Sequence, residues 1–113
     1  MDLAVEVYAV AAELPPNEKF GMTSQLQRCV ASVPANIAEG YQRGTRKDYA
    51  RFVGIARGSL AETETFLHLA ARVGHVSEAW IAAALNNADE LSRMLTRLKQ
   101  RLDQPGQPLV PSP

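Results

Sequence analysis

Apolar residues recur at intervals of three and four positions along four stretches of the chain, which is the period of an α-helix. Gly or Pro separates each stretch from the next, and no stretch shows the pattern of a β-strand. Short connections between long amphipathic helices place sequence neighbours side by side, so the pattern predicts an all-α protein, an antiparallel up-and-down four-helix bundle. The predicted helices run from about Asp2 to Leu14, from Thr23 or Ser24 to Tyr41, from Thr45 to Val73 and from Ser77 to Asp103.

Polar and helix-breaking residues set the predicted helix boundaries. Thr23 or Ser24, Thr45 and Ser77 each begin a helical stretch, where a hydroxyl oxygen can accept a hydrogen bond from a free backbone amide. Pro34 falls inside the second helix, and because it lacks an amide hydrogen we expect it to kink or briefly interrupt that helix. The first helix has about three and a half turns, so it is too short to span the third and fourth. The predicted helix ends lie at Pro15, at Gly40 to Gly44 and at Gly74.

The chain is predicted to form one domain, residues 1–103. A length of 113 residues is typical of a single domain, and a hydrophobic content of 46% is enough for a core. Residues 104–113 contain four prolines and one glycine, a composition that predicts a disordered tail.

Composition excludes several classes of protein. Twelve Lys and Arg residues balance twelve Asp and Glu residues, so the chain is not a strongly basic nucleic-acid module. Cys29 is the single cysteine, which excludes an internal disulfide framework and a cysteine-rich zinc site. The N-terminus has no basic leader, and the uncharged stretches are too short to cross a membrane. We therefore expect a cytoplasmic protein that has no membrane partner.

The sequence also lacks the residue patterns of an enzyme. No nucleophile has a base and an orienting acid at a recognisable spacing. His68 and His75 are not part of the paired Glu-x-x-His motifs that bind metals in helix bundles. We expect no catalytic residue, no metal, no cofactor and no small-molecule substrate.

The second predicted helix has a polar stripe beside its apolar one. Such a stripe is either a solvated face or a contact surface, and short directional groups such as Ser32 and Asn36 suit specific hydrogen bonds. We keep both interpretations open: a subunit interface or an internal polar network on the one hand, a solvated face on the other. The stripe consists of Gln25, Arg28, Ser32, Asn36, Glu39 and Arg43.

The third predicted helix carries a line of small residues. Each helical glycine costs about 1 kcal/mol relative to alanine, so two of them suggest that another backbone approaches, either within the chain or from a second copy. The line consists of Ala50, Gly54, Gly58 and Ala61. Arg57 lies beside this line, and its planar guanidinium can bind a carboxylate with two hydrogen bonds. We predict a charge-paired network, within one subunit or between two, formed by Arg28, Glu39, Arg57 and Glu62.

The turn between the second and third helices concentrates positive charge. Tyr41 and Tyr49 lie among these cations, and a ring of several copies would multiply weak phosphate contacts through avidity. The alternative is a solvated basic corner that binds nothing. The predicted nucleic-acid-binding residues are Arg43, Arg46, Lys47 and Arg51.

Three segments of the chain resemble the 23S rRNA intervening-sequence proteins. They are Phe20–Leu26, Ser32–Gly40 with its Asn-Ile-Ala-Glu-Gly motif, and Phe52 followed by Ile55–Leu60 with Ile-Ala-Arg-Gly-Ser. The resemblance implies a homopentamer of four-helix protomers without established enzymatic activity. It also implies a fold similar to the accessory protein of diversity-generating retroelements, which acts with a reverse transcriptase and binds nucleic acid.

Residues and resemblance together favour a non-enzymatic homo-oligomer, a scaffold that binds rRNA, another RNA or DNA through the basic corner. The alternative is an adaptor that docks a protein partner and does not bind nucleic acid. The expectation of nucleic-acid binding rests on the positive charge of this turn and on analogy with the family that the chain resembles.

Overall fold

The computed structural model describes residues 2–104, and within this range the chain forms four α-helices and no strand. A 3₁₀ turn, Pro16–Glu18, connects the first two helices. The all-helical prediction is confirmed. The helices are α1 (Asp2–Ala12), α2 (Met22–Gln42), α3 (Arg46–Arg72) and α4 (Glu78–Leu102).

Two of the predicted caps are present, and each is a hydroxyl oxygen that accepts from a backbone amide. Thr45 Oγ1 accepts from the amide of Asp48 at 3.1 Å, at the start of α3. Ser77 Oγ accepts from the amide of Trp80 at 3.1 Å, at the start of α4. Gly74 follows α3 with φ of +84°, a conformation that only glycine adopts without strain. These three boundaries are confirmed.

The predicted start of α2 is wrong, whereas its end at Gln42 lies one residue beyond the predicted Tyr41, and Gly44 follows it with φ of +81°. Gly21 precedes the helix, and neither Thr23 nor Ser24 caps it; the amide of Gln25 instead donates to the carbonyl of Gly21 at 3.0 Å. Helix α2 begins earlier because Met22 is buried against the core and belongs to the first turn. Gly40 lies inside the helix, which continues to Gln42.

Pro34 does not interrupt α2. The helix runs unbroken through it, although the residue cannot donate the backbone hydrogen bond of its position. Val30 and Val33, which precede Pro34 in the helix, are almost fully buried. The predicted interruption is therefore wrong.

The helices surround a common apolar core and contact one another in cyclic order. Helix α1 contacts α2 and α4, α2 contacts α3, and α3 contacts α4, with the most extensive contact between α2 and α3. Residues 2–104 form an elongated body of 51 × 24 × 19 Å. The largest fully buried side chains are Leu26, Leu60, Leu67 and Ile81.

The first helix spans only part of the bundle, as its predicted length requires. It has 11 residues, compared with 27 in α3 and 25 in α4. The division into a domain of residues 1–103 and a tail of residues 104–113 stays a prediction, because the tail beyond Gln104 lies outside the described residues.

Candidate nucleic-acid interface and adjoining polar seam

A seam of small polar side chains joins α2 to α3. The hydroxyl groups of Ser32 and Ser59 lie 2.8 Å apart across the two helices. Asn36 donates from Nδ2 to the hydroxyl and to the carbonyl of Ser32, at 2.8 Å each. Ser32 and Asn36 of the predicted polar stripe therefore take part in an internal hydrogen-bond network rather than in a solvated face.

The seam continues one turn further into buried positions. Thr63 Oγ1 lies 2.9 Å from the carbonyl oxygen of Ser59 and 3.2 Å from Cys29 Sγ. Burial raises the pKa of the Cys29 thiol and the charge of Glu62 acts in the same direction, while the hydrogen bond from Thr63 opposes them. The sequence did not single out Ser59 or Thr63 as partners of the polar stripe, although the two lie four residues apart on one helix face.

The predicted ion-pair network is not formed among residues 2–104 of one copy. Glu39 Oε1 instead accepts from Arg43 Nε at 3.0 Å, and both side chains are about half exposed. The pair forms because residues four apart share one face of a helix. Within residues 2–104, no ion pair joins Arg28, Arg57 or Glu62, and all three are exposed. A network between subunits, with Gln25 at its margin, stays a prediction.

The line of small residues on α3 has two different surroundings. A Cβ added to Gly54 would lie 3.2 Å from Cε of Lys99 in α4, so this part packs within the chain. A Cβ added to Gly58 would meet nothing within 4 Å. Ala50 is buried and Ala61 is exposed. Among residues 2–104 nothing packs against this position, so close packing within the described part of the chain does not explain Gly58.

The predicted basic corner is organised around Phe52. The guanidinium carbon of Arg51 lies 4.4 Å from the centre of the Phe52 ring, and that of Arg43 lies 5.1 Å from it. Contacts of this kind between a cation and an aromatic face hold the two charges without neutralising them. Tyr41 and Tyr49 pack edge to face beside them, with ring centres 5.7 Å apart.

The end of α4 enlarges this corner in a way that sequence spacing did not reveal. Arg46 donates from Nη2 to the carbonyl of Arg101, which brings the first turn of α3 beside the last turn of α4. A cleft of about 470 Å³ lies between them. The cations that line this cleft are Arg46, Lys47, Arg51 and Lys99.

Comparison with family models gives a match over residues 1–97 to the 23S rRNA-intervening sequence protein. The chain belongs to this family. A search of curated proteins found no match. Among solved structures, the intervening-sequence chain described here is similar to a protein of unknown function from the S23 ribosomal protein family of Bacteroides thetaiotaomicron VPI-5482. The two are 26% identical with a TM-score of 0.75, over 86% of this chain and 88% of that one.

The two motifs that carry the sequence resemblance lie where α2 and α3 are in close contact. A Cβ added to Gly40, the last residue of Asn-Ile-Ala-Glu-Gly, would lie 2.5 Å from Cβ of Phe52. Asn36 and Ser59, one from each motif, lie in the polar seam. The motifs therefore hold α2 against α3, and the basic corner lies at the end of that pair.

Residues 2–104 contain neither a metal-binding cluster nor a membrane-spanning helix. Across residues 2–104, no three His, Cys, Asp or Glu side chains come together in a way that could hold a metal ion. No helix in that range is both long and apolar enough to cross a bilayer.

Proposed function

We propose that this protein is a non-enzymatic scaffold that assembles with copies of itself and binds RNA or DNA through the basic corner. The observation that carries the proposal is the convergence of cations from three helices at one end of the molecule. Seven of the twelve Lys and Arg residues belong to this end, against three carboxylates, although the whole chain has no net charge. The cations are Arg43, Arg46, Lys47, Arg51, Arg97, Lys99 and Arg101; the carboxylates are Glu39, Asp48 and Asp103.

The cations differ in how far they are available to a phosphate. Arg43 is paired with Glu39, and Lys99 is paired with Asp103 at 2.8 Å. Lys47 and Arg51 are exposed and form no ion pair within residues 2–104. These two residues are therefore the first candidates for direct phosphate contact.

Self-assembly gives this modest surface its affinity. One corner neutralises only a few phosphates, and a few contacts give weak binding at physiological salt. Several corners on one particle bind one strand with a far lower dissociation constant, because each further contact is intramolecular. The proposed particle is the homopentamer implied by the family resemblance, built from antiparallel up-and-down bundles. The bare surface at Gly58 supports a contact between copies.

Salt-dependent binding tests the nucleic-acid proposal. The binding constant for a fluorescent single-stranded RNA and for a DNA duplex is measured over a salt series by anisotropy. We expect a linear fall of log K with log salt concentration, with a slope of about −0.9 for each duplex phosphate neutralised. The double variant Lys47→Glu, Arg51→Glu is expected to lose binding. Any binding that remains is expected to show a shallower fall of log K with log salt concentration.

A matched control removes the effect of net charge alone. Arg72 and Arg93 are exposed and lie on other parts of α3 and α4. The variant Arg72→Glu, Arg93→Glu changes the net charge by the same amount and is expected to keep most of the affinity. Equal loss in both variants, or no binding by the unaltered protein at low salt, would leave the protein-partner adaptor as the better account.

A further inference from the structure

The position that α1 occupies in the helix bundle is filled along only part of the length of the bundle. Helix α1 packs against α2 and α4, but its 11 residues extend about 16 Å, while the 25 residues of α4 extend about 37 Å. The second half of α4 therefore continues past the first turn of α1. Nothing else among residues 2–104 takes the place of α1 there, because an open cleft lies along that half.

The cleft has a volume of about 610 Å³ and an apolar floor. Leu91, Leu95 and Leu98 of α4 contribute to it, together with Ile37 of α2. Their spacing of four and three along α4 is that of a seam on which another helix packs. Met94 lies on the same surface with 57% of its area exposed, which is unusual for a side chain on such a seam.

The cleft is continuous with the existing contact of α1. A smaller cavity of about 120 Å³ shares Ile37 and Leu91 with the cleft and reaches Leu3 and Ala4 in the first turn of α1. The apolar surface of α2 and α4 that packs against α1 thus continues past the first turn of α1. This continuity indicates that the missing occupant is a helix.

The charges around the cleft indicate which charge the bound helix carries along its edges. Its two charged lining residues are Arg97 and Arg101, and the polar remainder is Gln100 and Gln104. Helix α1, which packs on the same two helices, directs one carboxylate toward α4, since Glu6 accepts a hydrogen bond from Asn87. A helix with carboxylates along its edge would pair with the two arginines.

We propose that this cleft binds an amphipathic helix of a partner protein. The helix has about fourteen residues, because the cleft extends about 20 Å from Leu91 to Gln104. Its apolar residues are spaced three and four apart, and acidic residues flank them. The cleft shares Arg97 and Arg101 with the basic end of the molecule, but Lys47 and Arg51, the first candidates for phosphate contact, do not line it.

A designed peptide tests the site directly. The probe is a fluorescent peptide of about fourteen residues, with leucines on one helical face and glutamates on both flanks. We expect saturable binding that Met94→Asp abolishes and Arg97→Glu weakens. Leu69→Asp is the matched control, since Leu69 is an exposed leucine on α3, 42% accessible and outside the cleft. A peptide of the same composition, with the leucines distributed around the helix, is expected not to bind.

A fusion distinguishes a separate partner from a segment joined to α1. The same designed sequence is placed directly before Met1, so that it can continue α1 into the cleft, and Tm is measured with and without Met94→Asp. Binding of the free peptide together with a rise in Tm that Met94→Asp removes would support the proposal. A response in the fusion alone would overturn the separate partner and assign the cleft to a segment in line with α1.

The remaining outcomes overturn the proposal. If neither probe responds, or if Met94→Asp leaves both responses intact, the cleft is not a helix site. If Met94→Asp by itself reduces the mass of the protein in light scattering, a second copy of the chain occupies the cleft. Nucleic-acid binding is tested separately by the Lys47→Glu, Arg51→Glu variant, because neither residue lines the cleft.

Discussion

Gly40 of α2 and Phe52 of α3 approach so closely that a Cβ on Gly40 would lie 2.5 Å from the Cβ of Phe52. That distance is well inside van der Waals contact, and both atoms are fixed to helix backbones, so neither can move alone. The same phenylalanine carries the guanidinium groups of Arg43 and Arg51 on its ring. A single close contact between two helices therefore positions the centre of the basic corner.

The first prediction concerns this contact. Gly40→Ala is expected to destabilise the fold by about 1–3 kcal/mol, since the added methyl group forces α2 and α3 apart. Gly58→Ala is the comparison, because within one copy a methyl group there meets nothing within 4 Å, so the fold of a single copy gains about 0.5–1 kcal/mol from the loss of glycine's conformational cost. Chemical denaturation measures both. Equal effects of the two substitutions would contradict the packing account, and a loss of oligomer with Gly58→Ala would identify that surface as a subunit contact.

The second prediction separates a true helix cap from a residue that only looks like one in the sequence. Thr45→Ala is expected to cost about 1 kcal/mol because it removes the acceptor for the amide of Asp48. Thr23→Ala is expected to change stability by less than about 0.5 kcal/mol, because Thr23 lies inside α2 and caps nothing. Thermal unfolding of the two variants compares them, and a larger loss for Thr23→Ala would be inconsistent with the structure.

The third prediction concerns the polar seam between α2 and α3. Ser32→Ala and Ser59→Ala each leave the other hydroxyl with one partner fewer. A double-mutant cycle is expected to show a coupling of about 0.5–1.5 kcal/mol, the usual net value of a hydrogen bond. Additive effects would mean that the two hydroxyl groups do not interact in solution.

The fourth prediction follows from the raised pKa of Cys29. Burial is the largest cause of the shift, so the thiolate that reacts with iodoacetamide is both scarce and inaccessible in the folded state. At pH 8 we expect alkylation at least about tenfold slower in the folded protein than in guanidinium chloride. Mass spectrometry gives both rates, and equal rates would contradict the burial of Cys29.

The fifth prediction concerns Glu64, whose pKa is raised above 4.5 by burial and by the nearby charge of Asp89, against a smaller opposite effect of His68. The ionised form is therefore the less favourable one in the folded state. Glu64→Gln is expected to raise Tm at pH 7, and the gain should shrink as the pH falls through the pKa of Glu64, because the unaltered side chain then becomes neutral too. A gain that stays constant over that range would contradict the electrostatic cause.

The sequence predicted the architecture well because helical periodicity and capping are local properties. Thr45, Ser77 and Gly74 mark their boundaries through contacts with residues only a few positions away. The start of α2 was mispredicted because a tertiary contact, the burial of Met22, extends the helix past two good capping residues.

The candidate site was predictable only in part, and for a related reason. Arg43, Arg46, Lys47 and Arg51 are close in sequence and form the corner that was expected. Their neighbours Lys99 and Arg101 are about fifty residues away, and only the packing of α4 on α3 brings them there. Glu39 pairs with Arg43, four residues further along the chain, because such neighbours share one face of a helix. The expected partner, Arg57, lies on a different helix.

The mass of the protein with and without nucleic acid tests the central claim most directly. Light scattering is expected to give a multiple of 12.3 kDa for the protein alone, five copies if the family resemblance holds. Addition of a single-stranded RNA at low salt should raise that mass by the mass of the RNA, and high salt should reverse the increase. A particle of 12.3 kDa at every concentration, or a mass that RNA does not change at low salt, would contradict the account.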